Sequence, residues 1–155
     1  MPSSERTSIE RIGLAIALGT VLIAIAATQY PFRYHLTMFG IERRWERIDW
    51  RWFPRTYDGS SIRLDRDFAL NLLMLLPLGL GYGLWRRAAR LRLVVESLLV
   101  GLCVSLVLEL SQLITPYRYT TLADLWRNGL GCMVGGLLAL WLKRRLDVSS
   151  APARP

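Results

Sequence analysis

The sequence predicts an all-α integral membrane protein: a four-helix bundle with both termini in the cytoplasm and an amphipathic outer loop between helices 1 and 2. Three observations support this. Apolar residues make up 52% of the 155-residue chain, they gather in four long runs, and most of the 19 arginines and the single lysine lie between those runs. A net charge of +8 in a soluble protein would suggest nucleic acid. Basic residues confined to loops instead indicate a lipid bilayer as the partner and no nucleic acid.

Each apolar run is long enough to be a transmembrane helix, since a hydrocarbon core of about 30 Å takes roughly 20 helical residues. None alternates strictly, as a barrel strand would. The first run also resembles a cleaved signal peptide, because Arg6 and Arg11 precede it and small residues end it. Its length and the three further runs favour an uncleaved anchor. The predicted helices span about 12–28, 68–85, 93–115 and 122–142.

Basic residues predict the orientation. Four arginines without an acid lie at 86–92, and Lys143-Arg144-Arg145 follows the last run. The positive-inside rule places both groups on the cytoplasmic side of the membrane. The chain then divides into a cytoplasmic N-terminus (1–11), a transmembrane domain (12–142) with its outer loop (30–67), and a basic cytoplasmic tail (143–155).

The outer loop has two readings. Ile41, Trp45, Ile48 and Trp52 have the spacing of one helical face, which predicts an amphipathic helix on the membrane surface. Ile48, Trp50 and Trp52 also alternate, and Asp58-Gly59 is a turn signal, which favours a short hairpin. Either element would cover the outer end of the bundle.

Polar residues inside the apolar runs gather at that outer end, and they predict a pocket. Asp67/Asn71 and Asp124/Asn128 are i, i+4 pairs, so each pair shares one helix face. An acid at mid-membrane costs about 2.5–3.5 kcal/mol, so Glu109 needs a partner, and Arg118 is the nearest cation in sequence. The predicted pocket residues are Asp67, Asn71, Glu109, Gln112, Arg118, Asp124 and Asn128.

Simpler roles exist for several of these residues. Thr121-Leu-Ala-Asp124 fits a capping box at a helix start, and Asp65 or Asp67 fits an N-cap. Asn128 and Gln112 fit interhelical hydrogen bonding, worth about 0.6 kcal/mol on average. Small residues allow close helix packing, and we expect this of Gly79, Gly131 and Gly135.

The sequence also contains a weak internal repeat. Gln29 and Gln112 both end an apolar run, and a helix opening with Asp-x-x-x-Asn follows each. This pattern suggests two helical hairpins of the same orientation, and such repeats form binding sites at their interface. Neither the two cysteines nor the single His35 has metal-ligand spacing, so we expect no metal and no cofactor.

Several of these motifs together resemble the VanZ-like family of small bacterial membrane proteins. They are Asp67-x-x-x-Asn71 with Pro77-Leu78-Gly79, Glu109-x-x-Gln112, Arg118, and Asp124-x-x-x-Asn128 followed by Gly131 and Gly135. The resemblance covers about residues 67–142. It departs at Thr120-Thr121-Leu122, where a turn containing serine would be more typical. The resemblance implies a cell-envelope membrane protein associated with resistance to the glycopeptide teicoplanin, and it implies no reaction.

Three functions remain open from the sequence. The first is recognition of a lipid-linked component or cell-wall precursor in an outward-facing polar pocket. The second is a membrane-embedded enzyme that uses carboxylates for acid–base or metal-assisted chemistry on a lipid-linked phosphate. The third is a non-catalytic helper subunit, in which the polar residues serve only helix packing. The sequence does not specify an oligomeric state.

Overall fold

The computed structural model describes residues 3–34, 36–52, 66–115 and 120–149. The described residues form five α-helices, and four of them are long and apolar enough to cross a membrane. This confirms the predicted all-helical membrane bundle. The helices are α1 (Ser3–Gln29), α2 (Met38–Trp45), α3 (Arg66–Trp85), α4 (Arg90–Gln112) and α5 (Leu122–Ser149).

Several helix bounds differ from those that the sequence predicted. The helix α1 begins at Ser3 rather than near residue 12, and α5 continues to Ser149, so the basic residues 143–145 extend a helix. The helix α4 ends at Gln112 instead of residue 115. The three residues that follow donate their backbone N–H groups to carbonyls only three residues back, which tightens the chain into turns.

The outer loop contains a shorter helix than predicted. Thr37 caps α2 by accepting a hydrogen bond from Gly40 N at 3.3 Å. Ile48 and Trp52 lie beyond the end of α2 and are not helical. The helix α2 does not continue through Asp49, because the Asp49 N–H donates to Thr120 O at 3.1 Å and its C=O accepts from Leu122 N at 2.9 Å. The hairpin turn at Asp58-Gly59 lies outside the described residues.

The bundle consists of two antiparallel hairpins, α1–α3 and α4–α5. The helix α3 packs against α1, α5 and α4, and α5 packs against α4 as well. The helices α3 and α5 run in the same direction, because Gly131 meets Leu72 and Gly135 meets Leu76. Both helices therefore begin at the same end of the bundle, where α1 and α4 finish.

Glycines set the distance between α3 and α5. A Cβ on Gly79 would lie 1.8 Å from Cys132 O, and a Cβ on Gly131 would lie 2.0 Å from Leu72 O. No side chain fits such a space, so the two backbones are in direct contact. A second close contact joins α1 to α3, where a Cβ on Gly81 would lie 2.5 Å from Gly13 O.

Around these contacts, the buried core is small and apolar. Its cluster of buried residues contains Ala24, Leu75, Leu78, Leu108 and Cys132. Many large apolar side chains point outward, such as Ile23 at 71% exposure and Val107 at 66%. Such an exposed apolar surface is unfavourable in water and suits contact with lipid tails.

Candidate functional site

Glu109 joins α4 to the start of α5. Its buried carboxylate accepts a hydrogen bond from Thr121 N at 3.2 Å, and its backbone carbonyl accepts one from the Thr120 hydroxyl at 3.1 Å. Thr121 caps α5, since its hydroxyl accepts from Asp124 N at 3.2 Å. In a standard capping box the residue at the Asp124 position would bond Thr121 N. Here Glu109 takes that role and leaves the Asp124 side chain available.

The Asp124 carboxylate joins α5 to α3. It accepts a hydrogen bond from Asn71 Nδ2, and Arg127 Nη1 lies 3.3 Å from the same oxygen. Only 13% of the Arg127 side chain is exposed, and its guanidinium lies over the rings of Phe68 and Trp126. The negative charge of Asp124 is therefore balanced by Arg127, and its side chain is held at the contact between α3 and α5.

Two further polar pairs join helices at this end. Asn128 is 2% exposed and donates from Nδ2 to Ser105 Oγ at 2.9 Å, which links α5 to α4. Gln29 donates from Nε2 to Ser111 Oγ at 2.6 Å and accepts from the Thr115 hydroxyl at 3.3 Å, which links α1 to α4. These contacts place the amides and Asp124 in roles of helix–helix connection.

The segment 36–52 lies against this same end of the bundle. Arg44 Nε donates to Leu113 O at 2.5 Å, just after α4 ends. Asp49 forms a parallel β-bridge with Thr121, and Trp126 Nε1 donates to Trp52 O at 2.9 Å. These contacts hold the segment over the end of α4 and the start of α5.

A cavity of about 190 Å³ lies between this segment, α4 and α5. Most of its lining is apolar, and Glu109 provides the only charged group among the described residues that line it. Glu109 is 6% exposed and forms no ion pair with any described residue. The lining residues are Trp45, Ile48, Trp50, Leu106, Glu109, Leu110, Thr120, Thr121, Leu122 and Leu125.

The structure thus divides the residues that the sequence grouped into one pocket. Asn71, Asp124 and Asn128 bind neighbouring helices, Gln112 is buried at the end of α4, and only Glu109 lines the cavity. Arg118 and the side chain of Asp67 lie outside the described residues, as do His35 and Asp65. The predicted Glu109–Arg118 contact therefore stays a prediction.

Sequence reasoning missed two parts of this region. The loop was expected to cover this end of the bundle, but not to line a cavity there with Trp45, Ile48 and Trp50. Arg127 was also overlooked, and its i, i+3 spacing from Asp124 was the available signal. Among residues 3–34, 36–52, 66–115 and 120–149, no three His, Cys, Asp or Glu gather as metal ligands would.

The opposite end of the bundle contains a different carboxylate. Glu96 accepts hydrogen bonds from the Tyr82 hydroxyl at 2.9 Å, from Arg86 Nε at 3.0 Å and from Arg92 Nε at 2.7 Å. Arg87 contacts Glu10 at 2.5 Å, and Lys143 donates to Arg86 O at 3.0 Å. This network joins the ends of α3 and α5 to the starts of α1 and α4.

Four apolar spanning helices, with glycine-mediated contacts and buried polar pairs, define a multi-pass α-helical membrane protein. The VanZ/LLP1 family model matches residues 11–143, and the chain belongs to this family. No curated protein and no solved structure matches the chain.

Proposed function

We propose that this protein binds the apolar chain of a lipid-linked or cell-wall component in the cavity beside Glu109, at the outer face of the bacterial inner membrane. The observation that carries the proposal is the cavity itself: an apolar space with one buried carboxylate in its wall. Apolar lining with a few placed polar groups is typical of ligand sites.

The cavity's size limits what enters it. Sites for drug-sized ligands measure about 300–1,000 Å³, whereas an apolar cavity of about 150 Å³ holds benzene. A volume of about 190 Å³ therefore suits a segment of a lipid chain and not a whole glycolipid or glycopeptide. The remainder of the ligand lies outside, on the segment 36–52.

We infer the outward position of the cavity from the charges at the other end of the bundle. Arg86, Arg87 and Arg90 lie between α3 and α4, and Lys143 with its neighbours ends the apolar part of α5. The positive-inside rule places that end in the cytoplasm. In a C103S background, an impermeant thiol reagent should label T120C in intact cells and R90C only after lysis. Labelling of R90C in intact cells would reverse the orientation.

The VanZ/LLP1 family supports a link to glycopeptide resistance, because the resemblance associates the family with teicoplanin. A glycopeptide that anchors itself in the membrane by a lipid chain offers the kind of segment that the cavity suits. Binding of this chain, or of the cell-wall precursor that the drug targets, would lower the drug's effect.

Expression of the protein in a susceptible bacterium tests this function. We expect the wild-type protein to raise the inhibitory concentration of teicoplanin and E109Q to return it to the level of the empty vector. The matched control is E96Q, which changes a glutamate of the same helix outside the cavity and should keep the resistance at an equal amount of folded protein. A glycopeptide without a lipid chain serves as the second control.

Protein amounts in the membrane are measured alongside. Full resistance from E109Q at equal amounts would contradict the proposed site. Equal loss from E109Q and E96Q would indicate a general effect on the fold and would also contradict it.

A further inference from the structure

Positive charge is concentrated at the end of the bundle opposite the cavity, where α3, α4 and α5 meet. Lys143 of α5 donates from Nζ to Arg86 O at 3.0 Å, just after α3 ends. The helix α4 begins at Arg90, and Arg144 and Arg145 follow Lys143 along α5. Cations from two helices and a loop therefore gather at one junction.

The packing of α4 on α5 places Arg90 and Lys143 at the same level. Gly136 meets the side chain of Ser97 where the two helices are in contact. Arg90 and Lys143 each lie about two helical turns from this contact, in the direction of the basic end. Residues two turns apart share a helix face, so both cations continue the α4–α5 contact beyond the apolar core.

Glu96, an acid at this junction, already has two arginine partners. It accepts hydrogen bonds from Arg86 Nε at 3.0 Å and from Arg92 Nε at 2.7 Å. Arg90 and Arg144 are exposed, and neither forms an ion pair with a described residue. Like charges that lie close together repel one another, so an anion at the junction would stabilise it.

Tryptophans mark the depth of this junction in the membrane. Gly83 of α3 meets Ala139 of α5, and Trp85 and Trp141 follow at matching positions, so the two tryptophans lie at about one level. Both are exposed, and exposed tryptophans settle at the level of the lipid headgroups. Leu91 at the start of α4 is 78% exposed, as suits contact with lipid. The cations therefore lie at the depth of lipid phosphates.

We propose that Arg90, Lys143 and Arg144 bind the phosphate group of an anionic phospholipid, whose acyl chains lie along the exposed apolar side of α4. The start of α4 has no side-chain cap, so its first N–H groups add a favourable dipole for the anion. This site is separate from the cavity and does not depend on the proposed function. The side of α4 that would contact the chains has exposed apolar residues at successive turns: Leu91, Val95 and Leu99.

Two phospholipids with the same acyl chains test the inference: phosphatidylglycerol, which is anionic, and phosphatidylcholine, which has no net charge. The full-length protein in a nonionic detergent is titrated with each lipid, and native mass spectrometry gives the dissociation constant of the first bound lipid. A lysine or arginine near a membrane surface strengthens the binding of anionic lipid by about fivefold. We expect phosphatidylglycerol to bind at least about fivefold more tightly than phosphatidylcholine.

Single substitutions separate a defined site from general attraction to a basic surface. R90Q and R144Q should each weaken phosphatidylglycerol binding by about fivefold and leave phosphatidylcholine binding unchanged. R11Q is the matched control, because Arg11 is exposed at the same end and forms no ion pair with a described residue. It lies on α1, which among the described residues packs against α3 and α4 and not against α5. R11Q should therefore keep the preference.

Equal losses in R90Q and R11Q would indicate diffuse attraction to the whole basic end and would overturn the inference, as would equal binding of the two lipids by the wild-type protein. R90K retains the charge and should retain most of the preference. A loss in R90K as large as in R90Q, at equal helical content by circular dichroism, would show that attraction of charge is not the cause.

Two further measurements test the occupant. Inorganic phosphate at millimolar concentration should not displace phosphatidylglycerol, and displacement would identify a soluble phosphate as the ligand and overturn the assignment to a lipid. Asp147 is close in sequence to the basic residues of α5, and its side chain lies outside the described residues. A preference for phosphatidylglycerol that appears only in D147N would show that Asp147 already balances the junction, which would overturn the inference too.

Discussion

Two glutamates on α4 illustrate how differently the two ends of the bundle use a carboxylate. Glu96 has three donors, two of them arginines, and 19% of its side chain is exposed. Glu109 is 6% exposed, has one backbone donor to its carboxylate and no ion pair with a described residue. Both residues are acids within the same apolar helix.

The difference lies in what surrounds each residue. Glu96 lies close to the loop 86–89, where the chain supplies arginines, and its charge stabilises the junction of α3 and α4. Glu109 lies where α4 meets the outer segment, and its surroundings are leucines, tryptophans and threonines. A carboxylate with several hydrogen-bond donors holds helices together, whereas a buried carboxyl group with a single donor is a candidate for a functional role.

Separation of α3 from α5 should affect both ends at once and gives the largest expected effect. G131L places a side chain where a Cβ alone would lie 2.0 Å from Leu72 O. Overpacking of this kind costs about 1–3 kcal/mol, and occasionally more. We expect a lower midpoint of thermal unfolding in detergent and less folded protein in the membrane. G19L is the matched control, because nothing lies within 4 Å of a Cβ on Gly19.

An equal midpoint for G131L and G19L would show that α3 and α5 tolerate separation. The difference between the Glu96 end and the Glu109 end would then depend on local contacts alone and not on the packing of α3 against α5.

Neutralisation of each glutamate in turn tests the comparison directly. E96Q loses the charge that two arginines contact, so its unfolding midpoint should fall. E109Q removes a buried carboxyl group that has no ion pair with a described residue, while the glutamine oxygen still accepts from Thr121 N, so its midpoint should stay equal or rise. Thermal unfolding of both variants in the same detergent measures the two shifts.

A larger loss of stability in E109Q than in E96Q would contradict the different roles given to Glu96 and Glu109. Glu109 would then have an unrecognised stabilising partner, and its assignment to ligand binding would lose its basis.

The smallest expected effect concerns the polar pair between α4 and α5. S105A removes the acceptor of Asn128 Nδ2, and Asn128 Oδ1 is already buried without a partner in the described structure. Loss of one interhelical hydrogen bond costs about 0.6 kcal/mol on average, and at most about 1.7 kcal/mol, in a membrane protein. Ser97 is also fully buried but bonds only its own helix, at Leu93 O, so S97A should cost less. Chemical unfolding would compare the two, and an equal cost would argue against a specific interhelical role for Asn128.

Periodicity and length predicted the spans well because they are properties of the chain alone. Any apolar run of the required length must satisfy its backbone hydrogen bonds internally when it enters a bilayer, and a helix does so. The ends of the helices were less predictable. The end of α4 near Gln112 and the end of α2 at Trp45 depend on hydrogen bonds to distant residues, namely Leu113 to Arg44 and Asp49 to Thr120.

The contacts of the candidate site residues were also only partly predictable from the sequence. The i, i+4 spacing correctly put Asp124 and Asn128 near one another, but it gave no information on which neighbour each side chain binds. Asp124 turned to Asn71 on α3 and Asn128 turned to Ser105 on α4. The choice depends on helix rotation, which glycines at the α3–α5 contact set.

The sequence by itself determined the bundle of apolar helices and the family. It also determined that the basic residues of the 86–92 loop and of 143–145 lie at the opposite end from the buried amides and Asp124. These follow from hydropathy and charge, which act on each segment independently. Only the tertiary structure decided that Glu109, alone among the predicted residues whose side chains are described, lines a cavity. That outcome depends on the position of the segment 36–52, which brings Trp45 and Trp50 to Glu109 across a long stretch of chain, and no local pattern in a sequence specifies such a contact.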